Sequence, residues 1–261
     1  MKRPLVIAIL AKSCAHILPY YLMAIESQTV IDGHTSFYIR TNDNIDNTAE
    51  ILREWADKMR KNHEVLLIDT SIDSTLKERG NHDWYYERFK ILGDIRQKSI
   101  NYAIFKGADY FIADCDNIIM PYTIALLRDI NLPIVAPLLK NVDPTSLYAN
   151  YHSDIDENGY LKPNDNYYKF HSGEIKGLFE QPVIHCTYFI KNEYLRSITY
   201  DDFSGRYEYV IFSDNLRKKG IPQYLDNRMY YGSLFFSSNE EEFQKECLFP
   251  DSIKVLSTYN V

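Results

Sequence analysis

The sequence has little with which to bind a nucleotide through the commonest loops. Its ten glycines form neither a Walker A pattern nor a G-x-G-x-x-G, so a P-loop NTPase or a dinucleotide-dependent enzyme is not expected. Its apolar runs are short. "LVIAILA" (Leu5 to Ala11) is among the longest, far below the ~20 residues that cross a bilayer as a helix, so no membrane span is expected. Cysteine is sparse: Cys14, Cys115, Cys186 and Cys247 are scattered without a CxxC or zinc-ligand spacing, which predicts reduced structural thiols. Positive charge is in deficit, with 29 Lys and Arg against 36 Asp and Glu. That balance argues against a nucleic-acid or anionic-membrane partner and still allows a local basic pocket for phosphate.

What remains is a chain of 261 residues, 45% of them hydrophobic, long enough for one large α/β domain. No internal repeat or linker interrupts it. The start "MKRPLVIAIL" has the basic end and apolar run of a signal peptide. The polar, helix-like "AKSCAHILPYYLMAIES" that follows makes it a first core strand instead, and a cytoplasmic protein without its own export signal is expected. The 22 tyrosines, with many Asn, Ile and Lys, are the usage of an AT-rich genome. The oligomeric state is left open.

Strand and helix patterns alternate. Leu5 to Ala11 reads as a buried strand, and Ile17, Leu18, Tyr21, Leu22 and Ile25 recur at helical spacing. "TSFYIRT" (Thr35 to Thr41) is a second strand, and Asn47 and Glu50 form a capping-box start to a helix carrying Ile51, Leu52, Trp55 and Met59. "HEVLLID" (His63 to Asp69) is a third strand. Then "WYYERFKILGDIRQKSINYAIFKG" places Phe89, Leu92, Ile95 and Ile100 on one helical face and stops at Gly107. Tyr110 to Ala113 is the fourth strand. "LPIVAPLL" (Leu132 to Leu139), "PVIHCTYFIK" (Pro182 to Lys191) and "PQYLDN" are later strands, and "RYEYVIFSDNLRKKG" (Arg206 to Gly220) is a helix. Lys140 to Pro182 is polar and aperiodic, so long loops and short hairpins are expected there. The alternation predicts a doubly wound, mostly parallel sheet, which binds ligands beyond the carboxyl ends of its strands.

The fourth strand runs into "DCDN". In an extended chain Asp114 and Asp116 point together while Cys115 faces away, and two converging carboxylates repel unless a cation compensates. A divalent ion bridging carboxylates and a diphosphate is the chemistry this pattern suits. The ordinary alternative is a strand followed by an Asp- and Asn-rich turn. A second pair occurs in "DIDENGYLKPND", where Asp154, Asp156, Asn158, Gly159 and Asp165 approach an EF-hand loop. It lacks flanking helices, contains Pro163 and closes on Asp rather than Glu, so a hairpin turn at "DENG" is expected instead.

The segments "VIAILAKSCAHILPYYLMAIES", "TNDNIDNTAEILREW", "DIRQKSINYA", "DYFIADCDN", "IVAPLL", "LYANY" and "VIHCTYFI" occur in that order from the first strand, with matches continuing to about Leu234. Together they resemble the procollagen galactosyltransferase family, which is related to the glycosyltransferase domain of lysyl hydroxylases. With its base composition the chain resembles a giant-virus member, for which the host cytoplasm or endoplasmic reticulum is expected. The resemblance implies one GT-A domain over residues 1–261. Residues 1–118 would be its nucleotide-binding half and 119–261 its acceptor and donor-sugar half. It further implies Mn2+-dependent, inverting transfer of galactose from UDP-galactose to hydroxylysine of a collagen-like polypeptide. Two alternatives stay open: a UDP-glucose-dependent enzyme acting on galactosylhydroxylysine, and a non-catalytic relative that binds sugar nucleotide or partner.

Carried onto this sequence, the resemblance makes Asp114 and Asp116 the metal-binding carboxylates, with Thr41, Asp43 and Asn44 facing the uridine. For these three the ordinary alternative is helix capping. Arg88 would neutralise a phosphate or form a surface ion pair. Asn150 and Tyr151 would shape the donor-sugar pocket. His185 would contact ligand or sit satisfied in the core. An acceptor hydroxyl needs a base in an inverting reaction, and Glu208 is the matching carboxylate, with Asp201 and Asp202 behind it. The family tends to carry a histidine, a natural third metal ligand, where "NRMYYGSL" here holds Tyr230, a poor ligand for a hard cation at neutral pH.

Overall fold

The computed structural model describes residues 3–72 and 86–259. Its first part alternates strand and helix: β1 (Leu5–Ala11), α1 (Leu18–Glu26), β2 (Thr35–Thr41), α2 (Thr48–Met59), β3 (Glu64–Asp69), α3 (Tyr86–Phe105) and β4 (Asp109–Ala113). The second part is shorter-stepped. It comprises β5 (Asn117–Ile119), α4 (Thr123–Asp129), β6 (Ile134–Pro137), β7 (Lys140–Asn141), β8 (Tyr151–His152), α5 (Asp165–Ser172), β9 (Leu178–Glu180) and β10 (Val183–Ile184). Then come β11 (Thr187–Ile190), α6 (Asn192–Leu195), α7 (Glu208–Lys218), β12 (Gln223–Asp226), β13 (Gly232–Leu234), α8 (Glu240–Glu246) and α9 (Pro250–Leu256).

The main sheet has the order β3-β2-β1-β4-β11-β6-β12-β9. β1 pairs in parallel with β2 and β4, and β2 with β3. β11 runs antiparallel to both β4 and β6, and β9 antiparallel to β12. The doubly wound, mostly parallel α/β architecture is therefore present, with two reversed strands set into it. One reversal has a direct consequence: Thr187 pairs with Ala113, so the chain entering β11 meets the carboxyl end of β4.

Strand alternation sorts the core into two layers. Leu5, Ile7, Ile9, Phe37, Ile39 and Phe111 face α1, α2 and α4. Val6, Ala8, Tyr38, Tyr110 and Ile112 face α3, α5, α6 and α7. Burying strands on both faces is why they read as continuous apolar runs.

Three local expectations are revised. The strand expected over Pro182 to Lys191 is two strands, β10 and β11, because Cys186 takes φ +64, a left-handed conformation no strand residue adopts. The segment expected to be loop and hairpin contains α5, which Asn164 caps by accepting from the Tyr167 N–H at 2.9 Å. The capping box at Asn47 is not formed; instead Asp46 Oδ1 accepts from the Thr48 N–H at 3.0 Å. Trp84 and Tyr85, the expected start of α3, lie outside the described residues. The hairpin at "DENG" is present, with Ile155 bridged to Leu161 and Gly159 at φ +91. All four cysteines are free thiols.

Candidate active site

The carboxyl end of β4 turns sharply rather than continuing as strand. The Asn117 N–H donates to the Asp114 carbonyl at 2.9 Å, so Asp114 to Asn117 form a β-turn leading into β5. The two carboxylates therefore converge through a turn, not through the strand alternation expected. Cys115 faces away as anticipated, donating its thiol to the Leu10 carbonyl at 3.4 Å. Tyr21 fixes the strand end through its hydroxyl to the Ala113 carbonyl at 2.9 Å. The reversed strand supplies the other wall: Asp114 N–H donates to the Cys186 carbonyl at 3.1 Å, and Asn117 Nδ2 donates to Thr187 Oγ1 at 2.7 Å.

Burial and the facing Asp114 carboxylate push Asp116 up to about 7. Two half-buried acids held together without full compensation are the donor set a hard divalent cation fits, with its remaining positions left to water and phosphate oxygen. Among the described residues, no group of three His, Cys, Asp or Glu side chains is arranged to hold a metal. Tyr230 does not stand in for a third ligand. Its hydroxyl meets Ser233 Oγ at 2.8 Å and donates to the Asp251 carbonyl at 3.0 Å, and Lys254 lies 3.5 Å over its ring. The register puts Phe235, whose N–H donates to the Asp116 carbonyl at 2.9 Å, beside the turn instead.

Sequence reasoning missed Arg96, at the centre of this site. Its Nη2 donates to Asp114 Oδ1 at 2.8 Å, and its Nε lies 3.4 Å from Glu208 Oε1. Only 9% of the Arg96 side chain and 7% of the Glu208 side chain are exposed, so the three charges interact in a low-dielectric setting. Burial opposes the Arg96 charge, but Asp114 and Glu208 outweigh it and hold its pKa well above the ordinary value. Burial raises Glu208, with Arg96 pulling the other way. A glycine makes the approach of α3 to α7 close: a Cβ on Gly93 would lie 2.9 Å from the Tyr200 carbonyl and 3.6 Å from Glu208 Cβ. Phe89 packs on Tyr207, ring centroids 4.2 Å apart, locking the same two helices. The available signal was an arginine inside the buried stripe of α3, next to Ile95 and one turn from Ser99 and Ile100.

The other nominated residues divide. Thr41, Asp43 and Asn44 stitch strand ends together. Asn44 Oδ1 accepts from the Ser13 N–H at 2.8 Å and its Nδ2 donates to Thr41 Oγ1 at 2.7 Å, while Asp43 Oδ2 accepts from the Ile72 N–H at 3.0 Å. They join the loops after β1, β2 and β3 at the carboxyl edge of the sheet. Asn150 is fully buried, and its amide bridges the Leu139 N–H and the Pro137 carbonyl, each at 2.8 Å. Tyr151 donates to the Tyr167 carbonyl at 2.6 Å. Both therefore act as scaffold for the loop they occupy.

His185 lies beside the Asp114 turn, its Nδ1 2.8 Å from Cys186 Sγ, ringed by Tyr148, His152 and Tyr209. Burial, then His152 and Arg96, keep its pKa well below the ordinary histidine value, so it is neutral. Arg88 sits half-buried on α3, about two turns before Arg96. Asp201 and Asp202 organise the loop before α7. Asp201 accepts from the Phe203 N–H at 2.9 Å, and Asp202 pairs with Arg206 at 2.5 Å. Partial burial would raise Asp202, but bonds from Ser204 and Arg206 hold it below the usual range. A paired, low-pKa carboxylate is a poorer base than Glu208.

A reversed strand inside a parallel sheet, with paired carboxylates at the carboxyl end of the fourth strand, defines a GT-A type glycosyltransferase domain. The sequence profile described as "Glycosyltransferase family 25, N-terminal domain" matches residues 2–247, and the chain belongs to that family. Procollagen galactosyltransferase 2 of Homo sapiens is 30% identical over 240 residues, covering 87% of this chain and 38% of the relative. The Mus musculus protein named inactive glycosyltransferase 25 family member 3 is 30% identical over 238 residues, covering 87% and 40%. The chain thus spans about 40% of the length of these relatives.

Among solved structures, S. aureus TarS in complex with UDP-GlcNAc superposes with a TM-score of 0.58 at 12% identity, over 93% of this chain and 61% of that one. The mannosyltransferase PcManGT from Pyrobaculum calidifontis, in complex with GDP-Man and Mn2+, gives 0.52 at 13% identity, over 90% and 57%. At these identities the likeness is one of fold. No described helix is long and apolar enough to cross a membrane.

Proposed function

We propose that this domain is an inverting glycosyltransferase that moves galactose from UDP-galactose to hydroxylysine of a collagen-like polypeptide. The observation that carries the reading is the joining of Asp114, Arg96 and Glu208 at the carboxyl end of β4, where this fold class binds its ligands. Asp114 and Asp116 would hold a divalent cation such as Mn2+, which when bound supplies electrostatic stabilisation to a departing diphosphate.

The chain's own groups account for the rest. Glu208, raised by burial and placed on the first turn of α7, is suited to take the proton of an acceptor hydroxyl as it attacks the anomeric carbon. The C–O bond to UDP breaks on the opposite face, inverting the centre. The loops tied by Thr41, Asp43 and Asn44 present a preformed edge for the nucleotide, and Arg88 is a candidate phosphate contact. His185, neutral and walled by aromatic rings, would line the sugar side together with the loop held by Asn150.

A non-catalytic role is the second reading. It is favoured by the Arg96 ion pair, which occupies the Asp114 carboxylate, and by relatives whose names call them inactive. The deciding experiment measures UDP release from UDP-galactose and UDP-glucose, with and without Mn2+, in the presence of a hydroxylysine-containing collagen peptide. Metal-dependent release that rises with the peptide supports the transferase, and the donor giving faster release names the sugar. Folded protein that releases no UDP from either donor supports the binding-only relative.

A further inference from the structure

Arg96 is a guanidinium on the buried face of a helix, in contact with two acids that belong to different parts of the proposed reaction. Its Nη2 holds Asp114 at 2.8 Å and its Nε faces Glu208 at 3.4 Å. Its Nε and Nη1 are both buried without a hydrogen-bond partner, an uncommon state for a group whose donors are normally all satisfied, so the contact with Glu208 is an ion pair. Nothing about packing alone requires an arginine there. The neighbouring stripe of α3 is filled by Ile100, Ala103 and the small Ser99, and a buried charge is costly unless its partners are worth holding.

The guanidinium is planar and rigid, so a hydrogen bond to Asp114 from one nitrogen and an ion pair with Glu208 at another set the separation of the two carboxylates. We propose that Arg96 is a positioning residue coupling the cation-side carboxylate Asp114 to the proton-accepting carboxylate Glu208. It offsets their repulsion and sets where Glu208 stands relative to the donor. The same ion pair makes Arg96 a competitor of the divalent cation for Asp114. This rests on the assignment of Asp114 and Asp116 as the cation site.

The two roles carry opposite signs, which separates them from a merely structural one. Removing the charge leaves three acids to attract a cation and releases Asp114 from its partner, so cation affinity rises. It also frees Glu208 from its fixed position, so turnover falls. A packing defect would lower both.

The experiment titrates Mn2+ into the wild-type chain, Arg96→Met and Arg96→Lys, reading free Mn2+ by electron paramagnetic resonance. UDP release and thermal unfolding are followed in parallel. Arg96→Met should bind Mn2+ about tenfold more tightly while turnover falls about 100-fold. Arg96→Lys should return Mn2+ affinity to near the wild-type value by restoring the charge, yet leave turnover low, because an ammonium group cannot bridge two carboxylates as a fork does. A folded Arg96→Met with unchanged or weaker Mn2+ binding, or with turnover within about twofold of wild type, overturns the proposal. Should Arg96→Met not fold, Arg96→Lys decides it, since full turnover in that variant is incompatible with a positioning fork. Absence of Mn2+ binding in the wild type would sink the cation assignment and this inference together, whereas binding without the reversed response sinks the inference alone.

Discussion

The chain carries two Asp-x-Asp pairs, and the structure treats them in opposite ways. Asp154 and Asp156 lie in the hairpin around Gly159, where their oxygens are spent on nearby backbone. Asp154 Oδ1 accepts from the Ile155 N–H at 2.8 Å, and Asp156 Oδ1 accepts from the Asn158 and Tyr160 N–H groups, each at 2.9 Å. Asp114 and Asp116 end a strand buried on both faces. They meet a buried arginine and another acid rather than a turn of amides. Identical spacing thus yields a fold element in one place and a reactive cluster in the other. Carboxylates that satisfy local N–H groups have little left for a ligand, while carboxylates crowded in a core edge retain a need for positive charge.

The strongest way to sharpen this contrast is to remove each pair in turn. Asp116→Ala should lower metal-dependent UDP release by about a thousandfold or more with the unfolding transition intact, whereas Asp114→Ala should lower it as far and also destabilise the fold, because it takes the hydrogen-bonded partner from the buried Arg96. Retention of metal-stimulated release by Asp116→Ala would break the assignment of the first pair. Next in size is Glu208→Gln, which keeps the shape of the side chain and removes its basicity. Turnover should fall about 100- to 10,000-fold, with Mn2+ and UDP affinity retained in an equilibrium titration. A Glu208→Gln protein with normal turnover would move the role of base to Asp201 or Asp202, in spite of the Arg206 pairing that restrains Asp202.

The first half of the fold was legible because its signals are local. β1 is an unbroken apolar run, β2 and β4 carry short β-branched and aromatic stretches, and α1 carries its buried face at helical spacing, so the strand–helix alternation could be read without any tertiary contact. The second half was harder. Cys186 breaks a strand through a backbone conformation that a Val-Ile-His-Cys-Thr-Tyr sequence does not announce, and α5 starts from an Asn cap in a polar, Tyr-rich stretch whose period is too short to stand out. At the site, Asp114 and Asp116 were found by residue type and by placement after a strand. Arg96 was missed because its importance lies in contacts with Asp114 and Glu208, 18 positions away along the chain in the first case and on a different helix in the second. Tyr230, read as a poor ligand where the family tends to carry a histidine, is drawn to Ser233 and Asp251 by contacts that no spacing rule contains.

The aromatic box beside the first pair offers a test through pH. Burial holds His152 down to about 4, against an ordinary value of 6.5, so the folded protein keeps it neutral where the unfolded chain protonates it. Its contribution is fully present above about pH 6.5 and is lost as pH falls toward 4. At about 1.4 kcal/mol per pH unit across that window, the loss reaches about 3 kcal/mol. Denaturant midpoints measured between pH 7.5 and pH 4.5 should show this decline, and His152→Gln should flatten it. An equal decline in His152→Gln would assign the acid sensitivity elsewhere, His185 being the neighbouring group already pushed the same way.

The smallest expected effect belongs to the second pair, and it is the one that makes the comparison two-sided. Asp156→Ala removes an acceptor from two backbone N–H groups in an exposed turn. Water can replace it there, so the cost should be about 1 kcal/mol and UDP release should be unchanged. An unfolding curve and one turnover assay suffice. If instead Asp156→Ala abolished metal dependence while Asp116→Ala did not, position in the sheet would have been the wrong criterion for choosing between two identical motifs. If the result is a small loss of stability alone, the difference between the pairs lies in what each carboxylate has already been given to bind.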